Sequence, residues 1–378
     1  MAPKPASDRR AAERGALAVA LLAALAAPAA ADPAARYPEP GPPVVERAPQ
    51  PAPPDARARR APTTEWVLHR SADGAHPDAN EQQMVWLMNR ARQGPTAEGV
   101  WLATTNDPDI AFGRSYFNVD VDVLELEFAS IDPAPPAAFD RRLWDAARLH
   151  AEYMISTDQQ THTGQDVKLM QSGFDANGYS LSVFAFADSA LNAHAALNID
   201  WGPGDGTGMQ PGRGHRAAIM GTYDNVGLAI VPESSGATQV GPMVFAGDYC
   251  YADTNTADHY ARFLVGTVWQ DEDEDGFYDP GEGRGGVTVM PDAGSFYAVT
   301  AEGGGYAIPI TAPGTYQVAF SGGGIPSQQR SATVGSASEL LDLEVPVPEP
   351  SQVALVLAGA GLLAPLARRR RRAGRQAT

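Results

Sequence analysis

Two groups of residues in this sequence have the types and spacing that metal or catalytic chemistry requires, and the clearer one is an acidic loop. Side-chain oxygens recur at positions 1, 3, 5, 9 and 12 of one twelve-residue segment: Asp271, Asp273, Asp275, Asp279 and Glu282. Phe277, at position 7, would add its carbonyl oxygen, and Gly276 allows a sharp turn. This spacing lets oxygen ligands surround one hard cation, so it predicts a calcium site rather than a solvated acidic linker.

The second group is a pair of histidines, His162 and His215, each close to a glycine. Glycine permits close backbone approach and leaves an imidazole at the edge of a helix or loop, where metal ligation is feasible. Neutral imidazole suits zinc, so the two residues are candidate zinc ligands and candidate catalytic residues. By contrast, His150 and His194 lie on apolar helical stripes, which favours packing or capping roles. The sequence contains no Gly-x-Ser-x-Gly elbow, no His-Glu-x-x-His motif and no phosphate-binding loop.

The elements that must position these residues can be predicted in part. One helix begins after Asp78 and Asn80, which are good N-caps, and ends at Gly94-Pro95. A second helix is predicted from about Asp140 to Ser156. Each helix has an apolar stripe, with members Met84, Leu87, Met88 and Ala91 in the first and Leu143, Ala147, His150 and Met154 in the second. Alternating polar and apolar residues over 118–128 predict a half-buried strand, and short β-prone runs follow at 226–231 and 244–246.

A second set of short strands, separated by glycine and proline turns, follows from residue 264. This spacing predicts a small antiparallel β-sandwich. The predicted strands cover 264–269, 286–289, 296–300, 306–310, 316–320 and 341–345.

Charge and cysteine content limit the function further. Residues 61–350 contain 13 basic and 39 acidic side chains, and so acidic a body would repel a phosphate backbone. Nucleic acid is therefore excluded as a partner. The single cysteine, Cys250, rules out an intramolecular disulfide and a cysteine-based zinc cluster.

Both ends of the chain have the patterns of targeting signals rather than of folded domains. Residues 1–31 have a basic start, an apolar run and an Ala-x-Ala pattern, which predicts an exported protein with a cleaved signal peptide. Residues 32–62 are rich in proline and alanine and predict a semi-extended linker. We expect these termini to be disordered or, where apolar, similar to membrane segments.

The C-terminal end, residues 347–378, resembles the PEP-CTERM sorting signal. Pro348, Glu349 and Pro350 precede an apolar run at 353–367, and an arginine run at 368–372 follows at once. The resemblance implies recognition by an exosortase-type sorting protease, in Gram-negative bacteria that make extracellular polysaccharide. It also implies an extracellular or outer-envelope location, after transient anchoring in the membrane by the apolar run as a transmembrane segment.

The order of motifs between about residues 80 and 250 resembles the CAP superfamily of cysteine-rich secretory, antigen 5 and pathogenesis-related proteins, in its disulfide-free bacterial, SCP-like branch. The matching elements are Leu87–Arg92, Leu143, Ala146–Met154, Thr161–Gly164, Gly178-Tyr179, Trp201, Gly214–Arg216 and Val226–Leu228. The resemblance implies an α/β/α sandwich over residues 63–262, with a central cleft. It also implies that His162 and His215 lie close together in that cleft.

The family's cleft glutamate does not carry over to this chain. Leu181 and Ser182 stand where the family has Glu-Asn, and a leucine can neither ligate a metal nor transfer a proton. Asp166, His194 and Asp200 are the alternatives for a third ligand. Because zinc normally takes three or four protein ligands, a remnant of two histidines predicts weak binding and favours a non-enzymatic role.

The strand set at 263–346, together with the acidic loop, resembles the calcium-binding B-type repeats and carboxypeptidase-regulatory-like sandwiches of bacterial surface proteins. In those proteins the role is that of a stiff stalk. Two hypotheses follow for the whole chain. The first is an exported envelope or matrix protein whose cleft binds an unknown small ligand, or a component of the envelope or polysaccharide matrix. The second is a metal-assisted hydrolase that uses His162 and His215.

Overall fold

The computed structural model describes residues 60–347, which lie within one compact unit. The predicted signal peptide, nearly all of the linker and the sorting residues Pro348, Glu349 and Pro350 lie outside the described residues. Within the described range, no helix combines the length and the apolar character needed to cross a membrane.

The helices and strands follow in chain order. The helices are α1 (Ala79–Gln93), α2 (Pro95–Thr104), α3 (Pro108–Phe117), α4 (Val121–Ala129), α5 (Arg141–Thr157), α6 (Gln165–Met170), α7 (Ala190–Ile199) and α8 (Gly214–Met220). The first strands are β1 (Thr64–Glu65), β2 (Ala138–Phe139), β3 (Ala176–Ala187), β4 (Asn225–Pro232) and β5 (Met243–Ala252). The later strands are β6 (Phe263–Trp269), β7 (Val287–Pro291), β8 (Phe296–Val299), β9 (Gly305–Pro309), β10 (Gly314–Gly322), β11 (Ile325–Val334), β12 (Glu339–Leu340) and β13 (Leu343–Glu344).

The N-terminal domain is an α/β/α sandwich around a sheet of order β2-β4-β5-β3. Successive residues of a strand face opposite sides of the sheet, and β5 shows which helices cover each side. Cys250 packs with Leu143 of α5 and Leu169 of α6, whereas the adjacent Tyr249 packs in the large core with residues of α1 and α7, a core that part of α5 also enters. The predicted three-layer architecture is therefore confirmed.

The two predicted helices of this domain are confirmed. Asp78 caps α1 in a capping box with Glu81, and the Glu81 carboxylate also accepts a hydrogen bond of 2.6 Å from the Trp144 indole nitrogen of α5. All four residues of each predicted stripe are buried. The Glu81 side chain thus caps the start of α1 and ties this helix to α5.

The strand predicted over residues 118–128 is wrong, because most of this segment forms α4. Asp120 caps the helix by accepting a hydrogen bond from the Val123 backbone, and Leu124 and Phe128 are fully buried at a spacing of four residues. The alternation of polar and apolar residues was misleading because the helix buries only these two positions and leaves Val121 and Leu126 exposed.

The C-terminal domain consists of two sheets, with strand orders β1-β8-β7-β10-β11 and β12-β6-β13, and β9 pairs with β6. The core pairs are antiparallel as predicted, but β1, β12 and β13 pair in parallel with their neighbours. Because β1 precedes the N-terminal domain in sequence yet pairs with β8, the two domains are interleaved rather than strictly consecutive. The long strands β3 and β11 were not predicted, since β11 is rich in polar residues and β3 begins with them.

The two domains share a tight junction along α1. The Gln82 amide donates a hydrogen bond of 2.8 Å to Thr267 on β6, and Gln83 donates to the Tyr278 carbonyl and to the Asp279 carboxylate. Gly305 of β9 lies directly against Gln82, where an added Cβ would come within 1.9 Å of the amide oxygen. The acidic loop is thus held against the N-terminal domain.

Candidate functional site

The two candidate histidines meet in space although 53 positions separate them in sequence. The ring centroids of His162 and His215 lie 6.5 Å apart, and the ring planes are nearly parallel at 16°. His162 is exposed, and the His215 side chain retains 23% of its accessible surface. The predicted proximity is confirmed, and both rings can reach solvent or a ligand.

Hydrogen bonds set the tautomer of His162. Its Nδ1 lies 2.9 Å from Gln165 Oε1, and the Gln165 amide nitrogen lies within 3.4 Å of three oxygens, those of the Ser182 and Gly247 carbonyls and of the Asp248 carboxyl. Since the amide nitrogen is directed to acceptors, Gln165 presents its oxygen to the imidazole, which must donate from Nδ1. The neutral ring therefore carries its lone pair on Nε2.

A carboxylate sets the tautomer of His215 in the same way. Asp200 follows α7 in the left-handed conformation, and its side chain accepts from the His215 backbone N–H at 3.0 Å and from His215 Nδ1 at 2.8 Å. A carboxylate can only accept, so His215 also donates from Nδ1 and keeps a lone pair on Nε2. The pair thus offers two nitrogen ligands, with the outer support that metal-bound histidines usually have.

None of the three expected alternatives for a third metal ligand, Asp166, His194 and Asp200, forms a metal-sized group with the two imidazoles among the described residues. His194 is fully buried and its Nε2 donates to Glu98 at 2.8 Å, while Asp200 is engaged by His215. Leu181 packs beside the Leu169 and Cys250 cluster and lies opposite Asp248 in the β3–β5 ladder. Within residues 60–347, no group of three His, Cys, Asp or Glu side chains close enough to share a metal ion includes either imidazole of the pair.

Sequence reasoning missed the support behind His162. Asp248 is fully buried on β5, and burial raises its pKa to about 8, although the hydrogen bond from Gln165 opposes this shift. His150 was assigned a packing or capping role, and its Nε2 lies 2.7 Å from the Thr161 carbonyl, next to His162. The spacing of Gln165, three residues after His162, was the signal available in the sequence, because Asp248 comes close only when α6 packs on the sheet that contains β5.

The acidic loop brings its carboxylates together as its spacing predicts. Ligand oxygens of Asp271, Asp273 and Glu282 lie within 4.8 Å of one another, as do those of Asp273, Asp275 and Asp279. Partial desolvation and the neighbouring carboxylates raise the pKa of Asp275 to about 6. Gly276 has a φ of +78°, the left-handed conformation expected for the sharp turn.

A third acidic group involves His76, Asp78 and Glu81, whose ligand atoms also lie within 4.8 Å of one another. His76 Nδ1 lies 2.7 Å from Glu81, and this hydrogen bond raises the pKa of the imidazole despite its partial burial. Because the same carboxylates cap α1, capping accounts for this group.

Comparisons with known proteins match the two regions for which the sequence predicted a family resemblance. A model of the cysteine-rich secretory protein family, CAP, matches residues 87–249. Residues 87–249 form a CAP domain. A model of the PEP-CTERM protein-sorting motif matches residues 346–372, and it begins one residue before the predicted tail. The motif implies export and recognition of the C-terminus by an exosortase-type sorting system.

No curated protein matches the chain. Among solved structures, the chain is similar to an extracellular protein containing an SCP domain from Bacillus anthracis strain Ames, solved at 1.5 Å resolution. The identity is 12%, the similarity covers 39% of this chain and 45% of that chain, and the TM-score is 0.24. The chain therefore spans less than half of the length of that protein.

Proposed function

We propose that this exported protein binds a small ligand or an envelope or matrix partner through its CAP cleft, and that its C-terminal domain is a calcium-stiffened spacer ahead of the sorting tail. The observation that carries the binding role is the imidazole pair itself. Both rings are accessible and both present a lone pair on Nε2, yet no described carboxylate, thiol or third imidazole completes a metal site with them.

A metal-assisted hydrolase is the second candidate, and the fixed tautomers favour it. Gln165 and Asp200 orient His162 and His215 as zinc ligands are usually oriented. Catalytic zinc nevertheless takes three protein ligands in its common sites. The missing third ligand therefore makes binding without catalysis the better-supported role.

The experiment is a zinc titration of the purified exported protein and of three variants, His162→Ala, His215→Ala and His76→Ala. Two nitrogen ligands should hold zinc in the micromolar range or more weakly, and either cleft variant should abolish that binding. His76→Ala is the matched control, since it removes the histidine of the third acidic group and should leave the affinity unchanged.

Two outcomes would contradict the proposal. Nanomolar zinc binding that requires both cleft histidines would mean that another group completes the site, and it would support the hydrolase. Loss of zinc binding in His76→Ala alone would place the metal at the start of α1 and remove the cleft from consideration as a metal site.

The calcium part of the proposal is supported by the carboxylate spacing in the loop and by the raised pKa of Asp275. Carboxylates held this close repel one another, and a divalent cation would relieve that repulsion. The junction with α1 suggests that such a cation would stabilise more than the loop alone.

A further inference from the structure

One aromatic residue of the acidic loop packs against the core of the other domain. Phe277 packs against the hydrophobic core of the CAP domain, with its ring centroid 5.3 Å from that of Trp101 on α2 and 6.0 Å from that of Trp86 on α1. The Arg90 guanidinium lies 4.4 Å from the centroid of the Phe277 ring. The C-terminal domain thus contributes a half-buried aromatic side chain that packs against the core of the N-terminal domain.

Arg90 is enclosed by three aromatic rings, because Trp86 and Trp101 also lie within 5.3 Å and 4.7 Å of its guanidinium. The same guanidinium donates to Glu98 Oε2 from Nε at 3.1 Å and from a terminal nitrogen at 2.7 Å. Aromatic faces stabilise a cation that has been removed from water, so the Phe277 ring helps to hold Arg90 in place.

Glu98 connects Arg90 to α7 through its two carboxylate oxygens. It is fully buried, and its second oxygen accepts a hydrogen bond of 2.8 Å from His194, which is also fully buried. Burial would raise the pKa of Glu98, but Arg90 and His194 reverse that effect, so the carboxylate is ionised and anchors both partners. A buried carboxylate with two donors fixes the position of the helix that carries one of them.

The same helix ends at the cleft. Asp200 follows the last residue of α7 and holds His215 through two hydrogen bonds. Arg216, the neighbour of His215, donates to the Asn198 and Ile199 carbonyls at the end of α7. The position of α7 therefore determines where the His215 ring lies.

We propose that Phe277, from the C-terminal domain, is a positioning residue for His215, acting through the Arg90–Glu98–His194 chain and α7. This proposal rests on the cleft role of His215 proposed above. His162 is held from a different direction, by Gln165 and Asp248, and so it should be insensitive to Phe277. A change at Phe277 in the C-terminal domain should therefore affect His215, whereas His162 depends on contacts within the N-terminal domain.

The test uses the full exported protein with Phe277→Ala, Phe277→Leu and Phe277→Tyr. Leucine keeps apolar volume but removes the aromatic face over Arg90, whereas tyrosine keeps the face. Phe320→Leu is the matched control, because Phe320 is fully buried in the core of the C-terminal domain and is not part of the junction. Imidazole ¹⁵N chemical shifts of His162 and His215 are measured in each variant, followed by zinc titration and thermal unfolding.

We expect Phe277→Ala and Phe277→Leu to shift the His215 resonances and to leave those of His162 in place. Zinc affinity should fall by about twofold to thirtyfold, the range for coupling through packed networks. Phe277→Tyr should retain both signals, and Phe320→Leu should lower the melting temperature without moving His215.

Several results would overturn the proposal. They are equal shifts of both imidazoles, no shift of either, or the same His215 shift in Phe320→Leu, since a general loss of stability would then account for the change. If the wild-type protein binds no zinc, only the zinc test of the proposed function fails, and the imidazole spectra still decide whether Phe277 positions His215.

Discussion

At the scale of single residues, the orientation of His162 depends on the side chains that lie behind it. Asp248, Gln165 and His162 form a chain in which each member orients the next, and Asp248 is fully buried. Its Oδ2 accepts no hydrogen bond from any described residue. A carboxyl group held in this way is stable in its protonated form, because an ionised group would lack compensation.

The stability of the protein should therefore depend on pH through Asp248. Burial raises the pKa of Asp248 to about 8 in the folded state, whereas the ordinary value is 3.8. The stabilising contribution of Asp248 to the folded state is thus fully present below pH 3.8, and it is lost as the pH rises towards 8. Between these values the wild-type free energy of unfolding should fall relative to Asp248→Asn, by roughly 1.4 kcal/mol for each pH unit.

Urea unfolding of both proteins at a series of pH values measures this difference. Asp132→Asn, which changes an exposed carboxylate, is the control and should follow the wild type. A constant difference between the wild type and Asp248→Asn from pH 5 to pH 8 would show that Asp248 is ionised in the folded state.

At the scale of elements, close approach of α5 to the sheet places the loop that carries His162. Gly227 on β4 makes this approach feasible, because a Cβ there would lie 2.1 Å from the Leu143 carbonyl carbon and 2.2 Å from the Trp144 backbone nitrogen. The α5 helix also carries His150, whose imidazole contacts the Thr161 carbonyl. The position of the helix thus determines that of the loop.

Substitution of Gly227 by alanine should displace α5 and destabilise the fold. Both neighbouring atoms belong to the backbone and cannot rotate away, so the cost should reach or exceed the roughly 1–3 kcal/mol typical of overpacking. Chemical denaturation measures the change. Gly335→Ala is the matched control, since an added Cβ there meets nothing within 4 Å and should change stability little.

At the scale of the whole molecule, α1 joins the two domains by contacts on both of its sides. Gln82 and Gln83 bond the C-terminal domain, while Met84 and Met88 enter the core of the N-terminal domain. The acidic loop lies at this junction, because the Gln83 amide bonds Asp279 within it. We therefore expect calcium binding in the loop to stabilise both domains together against unfolding.

Calcium should raise the melting temperature of the entire described unit. A cation that binds only the native state stabilises it by RT ln(1 + [Ca²⁺]/Kd), so the shift should grow with calcium concentration. Asp271→Ala and Glu282→Ala should abolish the shift, and Asp132→Asn should retain it. Differential scanning calorimetry measures both the shift and the number of transitions. A melting temperature that calcium leaves unchanged would identify the loop as a linker.

The C-terminal tail should determine where the protein is retained. Deletion of residues 347–378 removes the sorting motif and should release the protein into the medium. Intact-mass analysis of the exported wild-type protein should show that the arginine run at 368–372 is missing. Mature protein that still carries these arginines would instead indicate a simple membrane anchor.

The sequence by itself determined the features that depend on short stretches of chain. The capped stripe of α1, the helix α5, the twelve-residue spacing of the acidic loop and the sorting motif are all local patterns, so each could be predicted from residue types and their periods. The order of short motifs also led to the CAP resemblance, and through it to the proximity of His162 and His215. The helix α4 was not predicted, because its alternation of polar and apolar residues also fits a strand.

Only the tertiary structure decided what supports those histidines. Asp248 reaches Gln165 because α6 packs on the sheet where β5 pairs with β3. Phe277 reaches Arg90 across 187 positions of sequence because the acidic loop packs on α1 and α2. Neither contact can be predicted from a local sequence pattern, since nothing in the surrounding residues of either partner indicates the other. Burial, which gives Asp248 its raised pKa and Glu98 its two donors, arises only when these distant segments pack together.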